Sequence, residues 1–135
     1  MRTKKFLLLL GATSAGLAAI VGGTTAADAD DAPKVHAPYA QAGAVVNADG
    51  TVRRSKGVVS VEKVNPGRYC LKVAPDVDFA KSIPVATTGP GAKWNADIRV
   101  ASGPSGVCGK DPQKLGVYTG VKGAYADQPF NVIVP

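Results

Sequence analysis

The chain has 135 residues, 45% of them hydrophobic and 19% charged, with a formal net charge of +6. That length suits one domain, and the apolar fraction is too high for a chain that stays disordered. One histidine and two cysteines leave no basis for a metal site built on several nitrogen or sulfur ligands, and the basic excess is too thin for a nucleic-acid binder.

The first element is a leader. Arg2, Lys4 and Lys5 open the chain, an apolar run extends from Phe6 to about Val21, and small residues follow at Thr24, Thr25, Ala26, Ala27 and Ala29. Charge, apolar run and small-residue exit form the order a signal peptidase reads. Residues 1–29 are therefore expected to be a secretory signal peptide. Two cuts satisfy the rule. Ala27 and Ala29 frame one before Asp30, which is preferred, and Thr25 and Ala27 frame one before Asp28. A membrane-spanning helix needs roughly 20 mostly apolar residues, and interspersed glycines weaken this run for that purpose. No stable membrane insertion is expected once the leader is removed. From 16 basic and 10 acidic side chains the earlier residues take three and one, so the mature part carries 13 against 9, a net charge near +4.

Residues 30–36 are acidic, small and proline-bearing, and are expected to be a flexible leader to a single domain over 37–135. From there glycine and proline punctuate the chain every eight to twelve residues, with β-branched runs between them, which predicts many short strands. The first covers about Ala37 to Val46, and Asn47-Ala48-Asp49-Gly50 turns it into a return strand over Thr51 to Arg54. Val58 to Val64 alternates Val59 and Val61 with Ser60 and Glu62. Asn65-Pro66-Gly67 is a turn signal, because Pro presets φ and Gly accepts a positive value at the next position. Arg68 to Ala74 then runs back with Tyr69, Leu71 and Val73 on one face. Ser82 to Thr88 is a strand that Pro84 pushes to a sheet edge. Trp94 to Ala101, Leu115 to Val121 and Pro129 to Val134 complete the set, with Gly123 to Gln128 as a connector. The predicted fold is all-β, a two-sheet antiparallel β-sandwich of about 7–8 short strands, with a small β-barrel as the alternative.

Cys70 and Cys108 both fall in the mature part. An even count in an exported chain predicts a disulfide, and a redox-active pair would need closer spacing.

No residue pattern points to catalysis, a cofactor or a metal. His36 lies near the chain end, where a fixed general base is not expected. Ser55-Lys56 and Lys81-Ser82 are neighbours whose side chains diverge in extended backbone. Asp76 and Asp78 fall far short of the six to eight oxygens calcium takes. Glu62, the only glutamate, lies on the polar face of a predicted strand. Arg53, Arg54 and Lys56 form the densest mature charge and are candidate contacts for an anionic glycan, a teichoic-acid-like polymer or nucleic acid, although three charges at a turn are more often simply solvated. Trp94, Tyr39, Tyr118 and Tyr125 are candidates for stacking on sugars. A lone Trp in a small sandwich is expected in the core, so Trp94 at the surface is the functional alternative.

Tyr39-Ala40, Val46, Gly50-Thr51-Val52, Ser55-Lys56-Gly57-Val58, Gly67-x-Tyr69-Cys70-Leu71 and Phe130-Asn131-Val132-Ile133-Val134 together resemble small exported β-modules of high-GC, actinobacterial-type bacteria, which are similar to C-terminal pieces of surface and tail-fibre-like proteins. The resemblance implies a β domain outside the cytoplasm and transfers no site. The expected function is a secreted, non-enzymatic binding or surface-associated structural module, its partner a cell-surface glycan, a protein or a second copy. The alternative is a small secreted protease inhibitor presenting Gly103 to Lys110, braced by Cys108. No nucleic-acid partner is expected.

Overall fold

A computed structural model describes residues 26–135; the apolar part of the leader lies outside them. Among these residues ten strands form two antiparallel sheets that do not close into a barrel. Eight of them have four residues or more: β2 (Ala42–Val46), β3 (Val52–Lys56), β4 (Val58–Asn65), β5 (Arg68–Val73), β6 (Val85–Thr88), β7 (Ala96–Ser102), β8 (Lys114–Val121) and β10 (Phe130–Val134). Two are dipeptides, β1 (Ala27–Asp28) and β9 (Ala124–Tyr125). One sheet runs β1-β4-β5-β8-β7, with β9 added to β8, and the other runs β3-β2-β10-β6.

Strand periodicity explains which side chains meet between the sheets. Tyr69, Leu71 and Val73 of β5 and Leu115 and Val117 of β8 point inward from the larger sheet. Ala42, Ala44 and Val46 of β2 and Phe130, Val132 and Val134 of β10 answer from the smaller one. Tyr69 and Phe130 join the two layers, their ring centroids 4.9 Å apart. Most of these residues are β-branched or aromatic and lie on a two-residue period, so local preference and burial favour the same elements.

Two turns and one edge strand follow from sequence chemistry. Pro66-Gly67 joins β4 to β5, with Gly67 at φ 66°. Between β2 and β3, Asp49 Oδ1 accepts hydrogen bonds from the Thr51 N–H at 2.9 Å and the Thr51 hydroxyl at 2.6 Å. These two bonds, the hydroxyl's first, hold the Asp49 carboxyl below its ordinary pKa. Pro84 stands just before β6, which occupies an edge of its sheet as the proline requires.

The structure departs from the sequence expectations at several points. Val59 was expected to share a face with Val61, but Val58 and Val61 are buried and Val59 is exposed. A β-bulge between Val58 and Ser60 causes this by shifting the register one residue and exchanging faces. Residues 37–41 precede β2 instead of forming its start, with a turn closed by Ala40 N–H on Ala37 O. The segment expected to be a loose leader is tied to β3: Ser55 N–H donates to Pro33 O at 3.0 Å and Val35 N–H to Ser55 O at 2.9 Å. The connector contains β9, and the end of the leader contains β1 and the fully buried Ala29. Dipeptide strands carry no periodicity to read, so their pairing is set by the neighbouring strand.

Candidate functional site

A concavity lies on the outer face of the larger sheet. It has a volume of about 420 Å³ and runs between Asp97 and Arg99 of β7, Tyr118 and Gly120 of β8, and Tyr125 of β9. The register assembles it. Tyr118 stands between Arg68 of β5 and Arg99 of β7 as their direct cross-strand partner. Gly120 stands between Asp97 and Tyr125. Strand alternation turns Tyr118, Arg99, Asp97 and Arg68 outward because Thr119, Val100, Ile98 and Tyr69 turn toward the core.

The β8–β9 hairpin brings Tyr125 over this row. Its central residues, Lys122 and Gly123, have φ of 52° and 79°, the left-handed pair that matches strand twist in a two-residue hairpin. Gly120 allows the return strand to approach: a Cβ there would lie 2.6 Å from Ala124 O. Tyr125 then sits 6.3 Å from Tyr118, the rings inclined at 45°. The Arg68 guanidinium lies 4.2 Å from the centroid of Tyr125, within the range of cation–π attraction.

The floor of this region is tied to the β4–β5 turn by Asp127, just past β9. Its Oδ2 accepts from Lys63 Nζ at 2.7 Å and its Oδ1 from Gly67 N–H at 2.7 Å. Burial raises the Asp127 pKa, but the Lys63 ammonium and the Gly67 N–H outweigh it and hold the carboxyl below its ordinary value. The Tyr69 hydroxyl donates to Ala48 O at 2.5 Å and lies 3.5 Å from Asp127 Oδ1. Burial first, and the Asp127 charge second, push the Tyr69 pKa up to about 12. These contacts support the hairpins and contribute no exposed reactive group.

The residues singled out from sequence are dispersed. Arg53 and Arg54 are exposed neighbours on β3. Lys56 Nζ donates to Ala37 O at 2.6 Å, so its charge anchors the chain before β2. Trp94, expected in the core, is fully exposed in the turn between β6 and β7. That turn is held by Gln128 Oε1, which accepts from Lys93 N–H at 2.8 Å, and Trp94 lies in it before β7 begins at Ala96, so it has no place on that strand's inner face. Of the aromatic candidates, Tyr118 and Tyr125 come together, while Tyr39 is exposed before β2. Arg68, Asp97 and Arg99 were missed. Each reads as the polar half of an alternating strand, and only the register puts them in one place.

The catalytic pairs considered from sequence have structural explanations. The Ser55 hydroxyl is buried and donates to Ala29 O at 3.0 Å. His36 is exposed. Asp76 and Asp78 line a second, more open concavity of about 630 Å³ with Phe79 and Gln113. Among the described residues no group of three or more His, Cys, Asp or Glu side chains is placed to hold a metal ion. No described helix is long and apolar enough to cross a membrane.

Cys70 and Cys108 form a disulfide with Cα atoms 5.4 Å apart. It joins β5 to the segment before β8 and covers the outer face beside the groove. Within that segment Ser105 N–H donates to Gly109 O and Cys108 N–H to Ser105 O, both at 3.1 Å, so residues 105–109 fold back on themselves. A disulfide is compatible with oxidising surroundings outside the cytoplasm.

No protein-family model matches the chain, and no curated protein or solved structure matches it.

Proposed function

We propose that the chain is an exported, non-enzymatic binding module and that the β7–β8–β9 groove takes a saccharide of the cell surface. The observation that carries this reading is the tilted Tyr118–Tyr125 pair, bracketed by Arg68, Arg99 and Asp97 around an open groove. Aromatic faces accept the apolar C–H faces of sugar rings, and a few fixed charged groups orient the hydroxyls. Arg68 already stacks on Tyr125, which restrains that ring before ligand arrives and lowers the ordering cost of binding. Export is supported by the leader sequence together with the disulfide.

The inhibitor reading draws less support. A protease-binding loop is presented extended along the cleft, and residues 105–109 are closed by their own backbone hydrogen bonds.

Glycan-array binding of the exported protein, followed by titration of the best saccharide, tests the proposal. Tyr125→Ala should weaken binding at least about tenfold, the loss expected when an aromatic contact worth about 1.5 kcal/mol is removed. Trp94→Ala and Arg54→Ala should leave affinity unchanged. If saccharide binds and the loss follows Trp94 or Arg54, the groove is the wrong site. Stoichiometric inhibition of a trypsin-like or subtilisin-like protease without saccharide binding would favour the inhibitor.

A further inference from the structure

The small-residue rule admits two leader cuts, before Asp28 and before Asp30, and slightly prefers the second. The fold distinguishes them. Ala29 is fully buried within the hydrophobic core. Its N–H donates to Val59 O at 3.2 Å, and its carbonyl accepts from Ala32 N–H at 3.3 Å and from the Ser55 hydroxyl at 3.0 Å. Ser55 is itself 1% exposed, so this carbonyl is the acceptor for a hydroxyl that water does not reach. Before it, Asp28 pairs with Ser60, and β1 covers part of the open edge of β4.

We propose that the leader is removed between Ala27 and Asp28, so that the mature protein begins at Asp28. The inference rests on the export reading given above. A cut before Asp30 would delete a core methyl, strand the buried Ser55 hydroxyl and uncover the β4 edge. Each change is unfavourable: an unpaired buried hydroxyl loses its hydrogen bond, a missing core methyl leaves a void, and an unpaired edge invites pairing with other chains. A cut before Asp28 loses Ala27, which is partly exposed, with its pairing to Val61, and keeps Asp28 opposite Ser60 and Ala29 in the core. Its new ammonium falls beside the exposed Asp28 carboxylate, whose Oδ1 accepts from Asp30 N–H at 2.9 Å. The peptidase acts on extended chain and reads only Thr25 and Ala27 there, both small. The earlier cut thus satisfies the enzyme and leaves Ala29 with its core contacts and the Ser55 hydrogen bond in place.

Intact-mass measurement and N-terminal sequencing of the exported protein decide the matter. A chain beginning at Asp28 is expected. One beginning at Asp30 would overturn the inference while leaving the export reading standing. A chain retained in the cell with Met1 attached would overturn both. A second measurement uses Thr25→Lys, which spoils the earlier cut and leaves the Ala27-x-Ala29 site intact. Its exported product should begin at Asp30 and melt roughly 10 °C or more below the wild-type product, from loss of the Ser55 bond and core methyl. Equal melting temperatures for products starting at Asp30 and Asp28 would show that the fold does not need Ala29, and would remove the argument.

Discussion

Tyr69 links the core to the polar network beneath the groove. Its ring packs on Phe130 while its hydroxyl reaches Ala48 O and the Asp127 carboxylate. Tyr69→Phe keeps the ring and should cost about 1–2 kcal/mol in denaturant unfolding, whereas Tyr69→Ala also leaves a cavity and should cost about 3–5 kcal/mol. The pH dependence separates the hydroxyl from the ring. Because the folded-state pKa is raised to about 12, the contribution is complete below the unfolded value near 10 and is lost as pH rises through about 12. Stability measured from pH 9 to 12 should therefore fall more steeply for wild type than for Tyr69→Phe. Asp127 has the opposite sign. Its depressed pKa contributes stability that is present above the unfolded carboxyl value and is lost as pH falls through the folded one. Asp127→Asn should flatten that acid limb. The effect is expected to be small because the Lys63–Asp127 pair is about one-third exposed.

At the scale of elements, two hairpins decide the groove, and glycine is required where they meet. Gly67 has φ 66°, and a Cβ there would overlap Thr119 O and approach Ala126 N to 2.8 Å. Gly67→Ala should destabilise by about 2 kcal/mol or more, through left-handed backbone strain and the clash with Thr119 of β8 and Ala126 just past β9. Gly120→Ala should push β9 outward, because the new methyl would meet the Ala124 carbonyl of that strand. Its expected signature is weaker saccharide binding with little change in overall β content by circular dichroism. The β4–β5 hairpin is legible in the sequence because Asn65-Pro66-Gly67 carries its own conformational instruction. The β8–β9 hairpin is not, because Lys122 occupies a left-handed position that glycine or asparagine usually marks.

For the whole molecule, the disulfide is the main covalent tie across a chain separation of 38 residues. Closing a loop of that length restricts the unfolded chain and stabilises a small domain by about 4 kcal/mol. Replacing both Cys70 and Cys108 by alanine should remove a large share of net stability and lower the denaturant midpoint. Intact mass with and without reductant should differ by two hydrogens in the wild type. The Gln41 side chain adds a non-covalent tie at the chain end, donating from Nε2 to Pro135 O at 2.7 Å and accepting at Oε1 from Asp78 N–H at 3.0 Å. Together these ties help a modest core hold two sheets in place.

Reading residues in order was enough to establish a β-rich chain, its edge proline, the inward face of β5, and the pairing of two cysteines. Those properties follow from two-residue periodicity, turn chemistry and cysteine count, all local or compositional. The groove depended on interstrand register, because Arg68, Tyr118 and Arg99 become neighbours only when β5, β8 and β7 align. The inward turn of Val58 depended on a bulge, and the surface position of Trp94 on the route between β6 and β7. The same holds at the leader boundary: two cuts look alike to a rule about small side chains, and they differ once Ala29 has a place in the core.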